Sequence, residues 1–363
     1  MNYVMLKEVC SINMGQSPDS DSYNENGEGV PFFQGNADFG ERYPMTRKWC
    51  TAPTKLAKPE DILISVRAPI GAMNYAKEEC CIGRGLAALT PDKAKVSSEF
   101  IFWLLKAKND ELNSKGTGST FKAIGRKVLE ETLVPDIRLE TQIERSEILE
   151  KVYSVIQSRK HELQKLDELI KARFVEMFGN PVDNDKGWET ALCKNLMSKI
   201  GSGATPKGGK ESYCDEGISL IRSMNVYNNR FEYKDLAHIT DEQAGQLDNV
   251  TIEKKDVLLN ITGASVARCC VIPDDLLPAR VNQHVSIIRC KERILPDFVC
   301  CMFTEDNYQR LLWNIATAGG ATREAITKQQ IEELMLIVPP IDLQMQFINF
   351  VRQVDKSKVI NHI

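Results

Sequence analysis

The hydrophobic and polar positions of this chain follow the same order twice. In each half an apolar-patterned segment leads to a glycine and, three residues later, a proline, at Gly15 to Pro18 and Gly203 to Pro206. Next comes an apolar strand pattern ending in polar residues, VPFFQGNAD and then ISLIRSMNV. Further on, Asp61 and Asp256 precede two near-identical strand patterns, DILISVRAPIG and DVLLNITGASV. An ordered series of matches predicts an internal duplication.

The end of each half strengthens this prediction. The segment CCIGRGLAALT matches ARVNQHVSIIR, and residues 117–143 align with residues 319–347 with a two-residue insertion in the second copy. Each copy mixes short β-branched runs, bounded by glycine and proline, with one or two helices. The sequence therefore predicts an α+β (mixed α/β) fold made of two tandem lobes. It does not give the strand order.

Between the lobes the apolar pattern changes to a period of seven. No proline or glycine occurs from Thr141 to Phe178, and Thr141 with Glu144 has the spacing of a capping box, so one helix is predicted over 141–178. A stripe at this period is typical of a coiled coil and needs a partner helix along its length. The residues predicted to pack on that partner are Leu149, Ile156, Leu163, Ile170 and Met177.

The equivalent helix after the second lobe is the expected partner. It is predicted to begin at Asp342, and the sequence ends at Ile363, so this second helix is expected to be truncated to about half the length of the first. The predicted domains are a first lobe at 1–140, the central helix at 141–178, a second lobe at 179–341 and the short helix at 342–363.

Charge and composition narrow the function. A net charge of -4 argues against a uniformly basic nucleic-acid coat, so any DNA-binding charge must be local. Five basic residues and no acid lie between Arg42 and Lys58, and three more lie between Lys199 and Lys210. The chain has no apolar run long enough to span a membrane and no leader at its start, so a cytoplasmic location is expected. The 11 cysteines include no CxxC pair, so we expect reduced thiols and no metal site.

The sequence does not favour catalysis by this chain. The tract GSGATPKGGK lacks the glycine and hydroxyl positions of a phosphate-binding P-loop, and the Asn-Pro-Pro-aromatic tetrad of an amino-methyltransferase is missing. His238 and His284 are the two histidines within the lobes that could serve a Cys-His nucleophile pair, and both are expected to be ordinary structural histidines. We expect a protein that binds rather than reacts.

The duplicated set of motifs resembles the specificity subunit of type I restriction-modification systems. The resemblance is carried by the tandem lobes, the strands DILISVRAPIG and DVLLNITGA, the GST and GAT loops, the junctions LVPDIRLETQ and IVPPIDLQMQ, and the helix closing on MFGNP. It implies that each lobe is a target recognition domain reading one half of a bipartite site in double-stranded DNA. It also implies that the helices form an antiparallel spacer that docks methyltransferase (modification) subunits, and that a restriction subunit can join. No cofactor is expected on this chain, and S-adenosylmethionine is expected on the methyltransferase.

On this interpretation, bases are read by Arg, Asn and Gln, and phosphates by Lys, Arg and hydroxyl-bearing loops. The base-reading candidates are Gln34, Asn36, Arg67 and Arg84 in the first lobe and Arg222, Asn225, Asn260 and Gln283 in the second. The phosphate candidates are Lys48, Lys115, Ser119, Thr120 and Lys122, followed by Lys207, Lys210, Thr322 and Arg323.

Two alternatives stay open. The short second helix is also expected of a truncated or recombined specificity protein that assembles only in part. The other is a coiled-coil adapter whose lobes bind peptides or other proteins. It would bind no duplex at any salt concentration, whereas a DNA reader loses affinity steeply as salt rises.

Overall fold

The computed structural model describes residues 2–118, 122–206, 208–318 and 324–360. Its contacts divide the chain into two compact units, Met1–Ser158 and Arg159–Ile363, with the division inside one long helix. Both units combine antiparallel and parallel strand pairs with helices, so the prediction of two mixed α/β lobes joined by a long helix is confirmed.

Unit 1 contains eleven strands and the helices that cover them, within its described residues. The strands are β1 Tyr3–Met5, β2 Cys10–Met14, β3 Tyr23–Asn24, β4 Val30–Phe33, β5 Trp49–Cys50, β6 Leu56–Ala57, β7 Ile62–Ser65, β8 Met73–Tyr75, β9 Cys80–Ile82, β10 Leu86–Pro91 and β11 Leu133–Pro135. The helices are α1 Leu6–Val9, α2 Ser98–Ala107, α3 Asn109–Ser114, α4 Arg126–Glu130 and the long α5 Leu139–Phe178.

Two sheets organise unit 1. One is antiparallel in the order β2-β10-β7-β8, and the other has the order β3-β5-β4-β9-β6 and contains the parallel pair β4 and β9. The strands β7 and β10 are buried on both faces, which explains their continuous apolar runs.

Unit 2 repeats this plan after the end of α5. Its strands are β12 Thr190–Leu192, β13 Met197–Ser202, β14 Ile218–Ile221, β15 Val226–Tyr227, β16 Arg230–Phe231, β17 Ala237–Ile239, β18 Val257–Asn260, β19 Cys269–Val271, β20 Ala279–Val281, β21 Val285–Cys290 and β22 Met335–Ile337. Its helices are α6 Cys193–Leu196, α7 Asp241–Gly245, α8 Pro296–Phe303, α9 Asp306–Thr317, α10 Lys328–Glu332 and α11 Ile341–Ile360.

The strand pairing confirms the duplication seen in the sequence. The sheet β13-β21-β18-β19 has the connectivity of β2-β10-β7-β8, and the parallel pair β14 and β20 corresponds to β4 and β9. The register is also repeated, since Phe33 pairs with Ile82 in unit 1 and Ile221 pairs with Val281 in unit 2. The two units are therefore the same fold with different side chains on its surface.

The long helix begins two residues earlier than predicted. It starts at Leu139, so Thr141 and Glu144 lie inside it and the capping-box interpretation is wrong. Instead the buried Gln142 fixes this end: its Oε1 accepts from the Ser97 amide at 3.0 Å, and its Nε2 donates to the Ile137 carbonyl at 2.9 Å. The side chain replaces a cap by joining the first turn of α5 to the start of α2.

The matching glutamine of unit 2 does the same for α11. Gln344 is fully buried; its Oε1 accepts from the Leu295 amide at 2.9 Å, and its Nε2 donates to the Pro339 carbonyl at 2.8 Å. The shared glutamine of the LETQ and DLQMQ junctions is therefore a structural anchor for the helix that follows each lobe.

Within unit 2 the last part of α5 packs against α11. The Phe174 and Phe347 rings are 5.5 Å apart, and the Asp167 carboxylate lies 2.7 Å from the Lys358 ammonium. The two helices therefore run in opposite directions, because the earlier residue of α5 contacts the later residue of α11. This confirms that the helix after the second lobe is an antiparallel partner of α5. The described α11 has 20 residues, and α5 has 40, or about 60 Å at about 1.5 Å per residue.

The predicted stripe on α5 is divided between two environments. Ile170 and Met177 pack against the core of unit 2, and Leu163 is half-buried. Leu149 and Ile156, in contrast, are 44% and 46% exposed, because α5 uses its Glu150 and Tyr153 face to pack on unit 1. Two of the five stripe residues therefore lie on an open apolar surface.

The cysteines behave as small apolar side chains. All 11 are free thiols and most are buried, and burial raises the pKa of the Cys193 thiol to about 12. The described residues include no group of His, Cys, Asp and Glu side chains that could hold a metal ion. None of the helices in the described ranges has the length and apolar character that crossing a membrane requires.

Candidate nucleic-acid interface

In unit 1 a short loop is held against the end of a buried strand. The Gly83 amide donates to the Phe33 carbonyl at 2.9 Å, and the Gly85 amide donates to the Gln34 carbonyl at 3.2 Å. These two bonds fix the backbone on both sides of Arg84, whose side chain is exposed. Gln34 and Arg84 are thereby brought to one edge of the unit although 50 residues separate them in sequence.

The end of β7 and the loop before α4 continue this edge. The Val66 amide donates to the Gly85 carbonyl at 2.9 Å, which places the following residue, Arg67, beside the loop. The Ala68 amide donates to the Lys122 carbonyl at 3.0 Å. Gln34, Arg67, Arg84 and Lys122 therefore form one continuous surface, called here the strand-end surface of unit 1.

Glycines allow these segments to approach so closely. A Cβ on Gly15 would lie 2.2 Å from the Gly83 carbonyl oxygen, and a Cβ on Gly85 would lie 2.5 Å from the Gln34 carbonyl oxygen. Real Cβ atoms do not come this close to backbone atoms, so any larger residue would push the loop away from β4. The glycine of the NMGQSP motif thus has a packing role.

The strand-end surface of unit 1 carries positive charge that the described residues do not neutralise. Arg67, Arg84 and Lys122 are exposed, and no described carboxylate lies within 4.0 Å of their charged groups. Lys48, in the same unit, is also exposed and has no carboxylate within 4.0 Å among the described residues. Exposed cations without an internal partner attract phosphate and base edges, and their effect decreases with salt.

Unit 2 builds the same loop with other side chains. The Asn282 amide donates to the Ile221 carbonyl at 3.0 Å, and the Ile261 amide donates to the His284 carbonyl at 3.0 Å, as Gly83 and Val66 do in unit 1. The residue at the centre of this loop, Gln283, is exposed.

Side-chain hydrogen bonds surround Gln283. Its Oε1 accepts from the Thr205 hydroxyl, and its Nε2 lies 3.1 Å from His284 Nε2. The other ring nitrogen of His284 lies 2.6 Å from the Thr262 hydroxyl oxygen. Thr205, Thr262, Gln283 and His284 form the strand-end surface of unit 2, which is polar where that of unit 1 is cationic.

Two of the predicted base readers are wrong. Asn225 is fully buried, and its side chain bonds the Arg222 amide at 3.1 Å and the Glu232 carbonyl at 2.9 Å. Asn260 is also fully buried and donates to the Ser223 carbonyl at 2.8 Å. Both amides satisfy backbone groups inside unit 2 and cannot reach a base.

Arg222 and Lys115 are available only in part. Arg222 is half-buried, donates to the Asp235 carbonyl and lies over the Tyr213 ring at 5.6 Å. Lys115 forms an ion pair with Glu111 at 2.6 Å, and Lys108 together with Lys115 lowers the pKa of that carboxyl to about 2. Each cation is held by an internal contact before any DNA arrives.

The remaining candidates differ in how much of each residue the structure describes. Asn36 is half-buried in the 3-10 turn Asn36–Asp38 after β4, next to Gln34. The backbone of Lys210 lies in the turn Gly209–Ser212, while its side chain is outside what the structure describes. The candidates that lie outside the described residues altogether are Ser119, Thr120, Lys207, Thr322 and Arg323.

Sequence reasoning missed two residues that hydrogen-bond to the candidate base readers. Ser17 exchanges hydrogen bonds with the Gln34 side chain, with Nε2 donating to Oγ at 2.8 Å, and Thr205 is its counterpart beside Gln283. Both lie one residue before the proline of the NMGQSP and GSGATP motifs. The aligned hydroxyls were therefore a usable signal.

The fold and the surfaces define a duplicated α/β protein that carries one exposed, loop-borne polar site in each repeat. A model of the family described as the type I restriction modification DNA specificity domain matches residues 1–168 and 185–363. Since these matches cover most of the chain, the protein belongs to this family.

Individual relatives agree with this assignment. The chain is 19% identical to the type I restriction enzyme EcoBI specificity subunit of Escherichia coli, over 96% of this chain and 78% of that protein. It is 42% identical over 165 residues, 46% of its length, to a Methanocaldococcus jannaschii protein designated a type I restriction enzyme MjaX specificity subunit. That match spans 39% of the MjaX protein, so the chain covers about two fifths of this relative's length.

A solved structure shares the fold. The S subunit of a type I restriction-modification system from M. genitalium superposes with a TM-score of 0.59 at 14% identity, over 99% of this chain and 91% of that one. At this identity the likeness shows the fold alone, and the chemistry must come from this chain's own residues.

Proposed function

We propose that this chain is the non-catalytic DNA-recognition subunit of a type I restriction-modification complex. Each unit reads one half of a bipartite site in double-stranded DNA, and the chain directs a partner adenine methyltransferase to that site. S-adenosylmethionine is bound by the methyltransferase, and a restriction subunit can join the same assembly. The site of action is the cytoplasm, where the DNA is.

The observation that carries this proposal is the duplicated strand-end surface. In both units the same backbone hydrogen bonds hold a loop whose central side chain, Arg84 or Gln283, is exposed and able to hydrogen-bond a base edge. Two readers in one chain bind two half-sites together, which raises affinity through effective concentration without further contacts. A bipartite target follows from the repeat.

An open apolar surface on the N-terminal half of α5 supports the assembly part of the proposal. Ile148, Leu149, Val152, Val155 and Ile156 are between 44% and 61% exposed. A single helix rarely exposes five large apolar side chains within nine residues unless another protein covers them. We assign this surface to the methyltransferase subunits.

Duplex binding tests the DNA part. The full chain, alone and with its methyltransferase subunit, is titrated with duplex DNA at increasing salt, and affinity is expected to fall steeply. Replacing Lys122 with alanine should reduce the slope of log affinity against log salt by about 0.9 if it contacts one phosphate.

Lys93 provides the matched control. It is exposed and pairs with Glu60 at 2.7 Å, at the opposite end of strands β7 and β10 from Arg67 and Arg84. Its replacement by alanine should leave affinity and salt slope unchanged. Absence of duplex binding at every salt concentration would instead support an adapter protein, and methylation without a split motif would refute bipartite recognition.

A further inference from the structure

We infer that Arg84 and Gln283 are the paired specificity determinants of the two units, with Arg84 reading a guanine and Gln283 an adenine at the corresponding position of each half-site. This inference rests on the proposed DNA-recognition function. It adds which residue reads a base in each unit and which base that residue takes.

The two residues occupy the same place in the repeated fold. The residue before each, Gly83 or Asn282, donates its amide to the last residue of the neighbouring parallel strand. The residue after each, Gly85 or His284, accepts from the strand end of β7 or β18 at 2.9 Å or 3.0 Å. Arg84 and Gln283 are therefore presented by the same loop geometry.

The loop is fixed by the backbone and not by these side chains. In unit 1 a Cβ on Gly15 would meet the Gly83 carbonyl oxygen at 2.2 Å, and in unit 2 a Cβ on Gly203 would meet the Val281 carbonyl oxygen at 1.7 Å. Because glycine contacts and amide bonds hold the loop on both sides, its central side chain is free to vary. This is the arrangement expected of a residue that sets specificity.

The chemistry of Arg84 selects guanine. Its guanidinium is exposed and has no carboxylate within 4.0 Å among the described residues, so its fork of donors remains available. Guanine presents two acceptors, O6 and N7, in the major groove, and a bidentate arginine matches both. Adenine presents an amino donor where guanine presents O6, so this donor would face an N–H donor of the guanidinium.

The chemistry of Gln283 selects adenine. Its Oε1 already accepts one hydrogen bond from Thr205, and its Nε2 must donate one N–H to His284 Nε2, since an amide nitrogen accepts none. One lone pair on Oε1 and one N–H on Nε2 remain. That pair is the complement of the adenine N6 donor and N7 acceptor.

Arg67 is also exposed without a described carboxylate partner, but its counterpart in unit 2 is Thr262, whose hydroxyl oxygen lies 2.6 Å from His284 Nδ1. Gln34 is exposed and keeps one lone pair and one N–H beside its bonds to Ser17, but its counterpart in unit 2 is the half-buried Arg222, which donates to the Asp235 carbonyl. Asn225 and Asn260 are fully buried. Arg84 and Gln283 are thus the residues at equivalent positions that combine exposure with an unused donor and acceptor pattern.

The test exchanges the two side chains. The full chain with its methyltransferase subunit selects sites from a duplex library with random bases, and base preference is read at every position for the wild type, R84Q, Q283R and R84A. In R84Q one position of one half-site should change from guanine to adenine, with a preference ratio shifted by about 5- to 150-fold. In Q283R one position of the other half-site should change from adenine to guanine, and in R84A the guanine position should lose its preference.

Lys48→Gln serves as the control, because this exposed lysine is assigned to phosphate and should weaken all sites equally. An R84Q variant that keeps guanine, or that weakens every position alike as Lys48→Gln does, overturns the inference while the selected wild-type motif leaves the proposed function standing. A wild-type complex that selects no motif refutes both. The folding of each variant is checked by thermal unfolding, and R84A must retain the wild-type motif in the other half-site.

Discussion

Replacing Gln344 with alanine should destabilise unit 2 strongly. The side chain is fully buried at the first turn of α11 and makes three hydrogen bonds to backbone groups: it accepts from the Leu295 amide at 2.9 Å and donates to the Pro339 and Arg293 carbonyls at 2.8 and 3.2 Å. Alanine removes all three bonds and leaves a small cavity. The backbone groups stay in place because they belong to the strand end and to the start of α8.

The expected cost follows from what remains unpaired. A buried donor or acceptor left without a partner costs about 1–3 kcal/mol. The Leu295 amide and the Pro339 carbonyl lose buried bonds, while the Arg293 carbonyl is close enough to the surface for water to replace part of its loss. We expect the free energy of unfolding of unit 2 to fall by about 3–5 kcal/mol.

Urea unfolding of the full chain measures this cost. Trp188 and Trp313 report on unit 2, and Trp49 and Trp103 report on unit 1, so tryptophan replacements separate the two transitions. Gln353→Ala, an exposed glutamine on the same helix, is the control. Equal midpoints for Gln344→Ala and Gln353→Ala would refute the anchoring role.

Three further outcomes are expected. Asp256→Asn should lower the stability of unit 2 by about 1–3 kcal/mol in urea titrations, because it weakens the pair between the fully buried Asp256 and the partly exposed Arg289, which bonds both carboxylate oxygens at 2.8 Å; a loss below 1 kcal/mol would contradict this. Asn260→Asp should reduce stability by about 1–3 kcal/mol and leave the selected bases unchanged, since its amide serves the Ser223 carbonyl and not DNA. Val152→Asp, at a site 51% exposed, should leave the melting temperature unchanged but weaken methyltransferase binding about tenfold or more in calorimetry, and unaltered binding would show that another surface docks the partner.

Much of the fold could be predicted because it is written twice. A single copy of the motif around Asp61 would have suggested only a buried strand, but its recurrence around Asp256 predicted two equivalent lobes, and the strand registers agree. The helix α5 was predicted for a different reason: residues 141–178 contain no glycine or proline and have a seven-residue apolar period, which leaves few other structures.

Side-chain direction was beyond the sequence. Asn260 ends a strand that is buried on both faces, so the alternation that normally separates inward from outward residues gave no signal there. Asn225 was interpreted as a reader because polar residues often end strands, yet it closes a 3-10 turn by accepting from the Arg222 amide. In both cases the decisive fact is a backbone group elsewhere in the unit that needed a partner.

The strand-end loops show how such a fold separates stability from recognition. The amides of Gly83 and Asn282 and the close approach of Gly15 and Gly203 hold each loop through the backbone, so the energy that positions the loop does not depend on the residue at its centre. That central residue is a cation in one unit and an amide in the other, while the backbone hydrogen bonds that hold the loop to the neighbouring strand are the same. Specificity can therefore change by single substitutions at the loop centre, whereas a larger residue at Gly15 or Gly203 should displace the loop of its unit and remove recognition of the whole half-site.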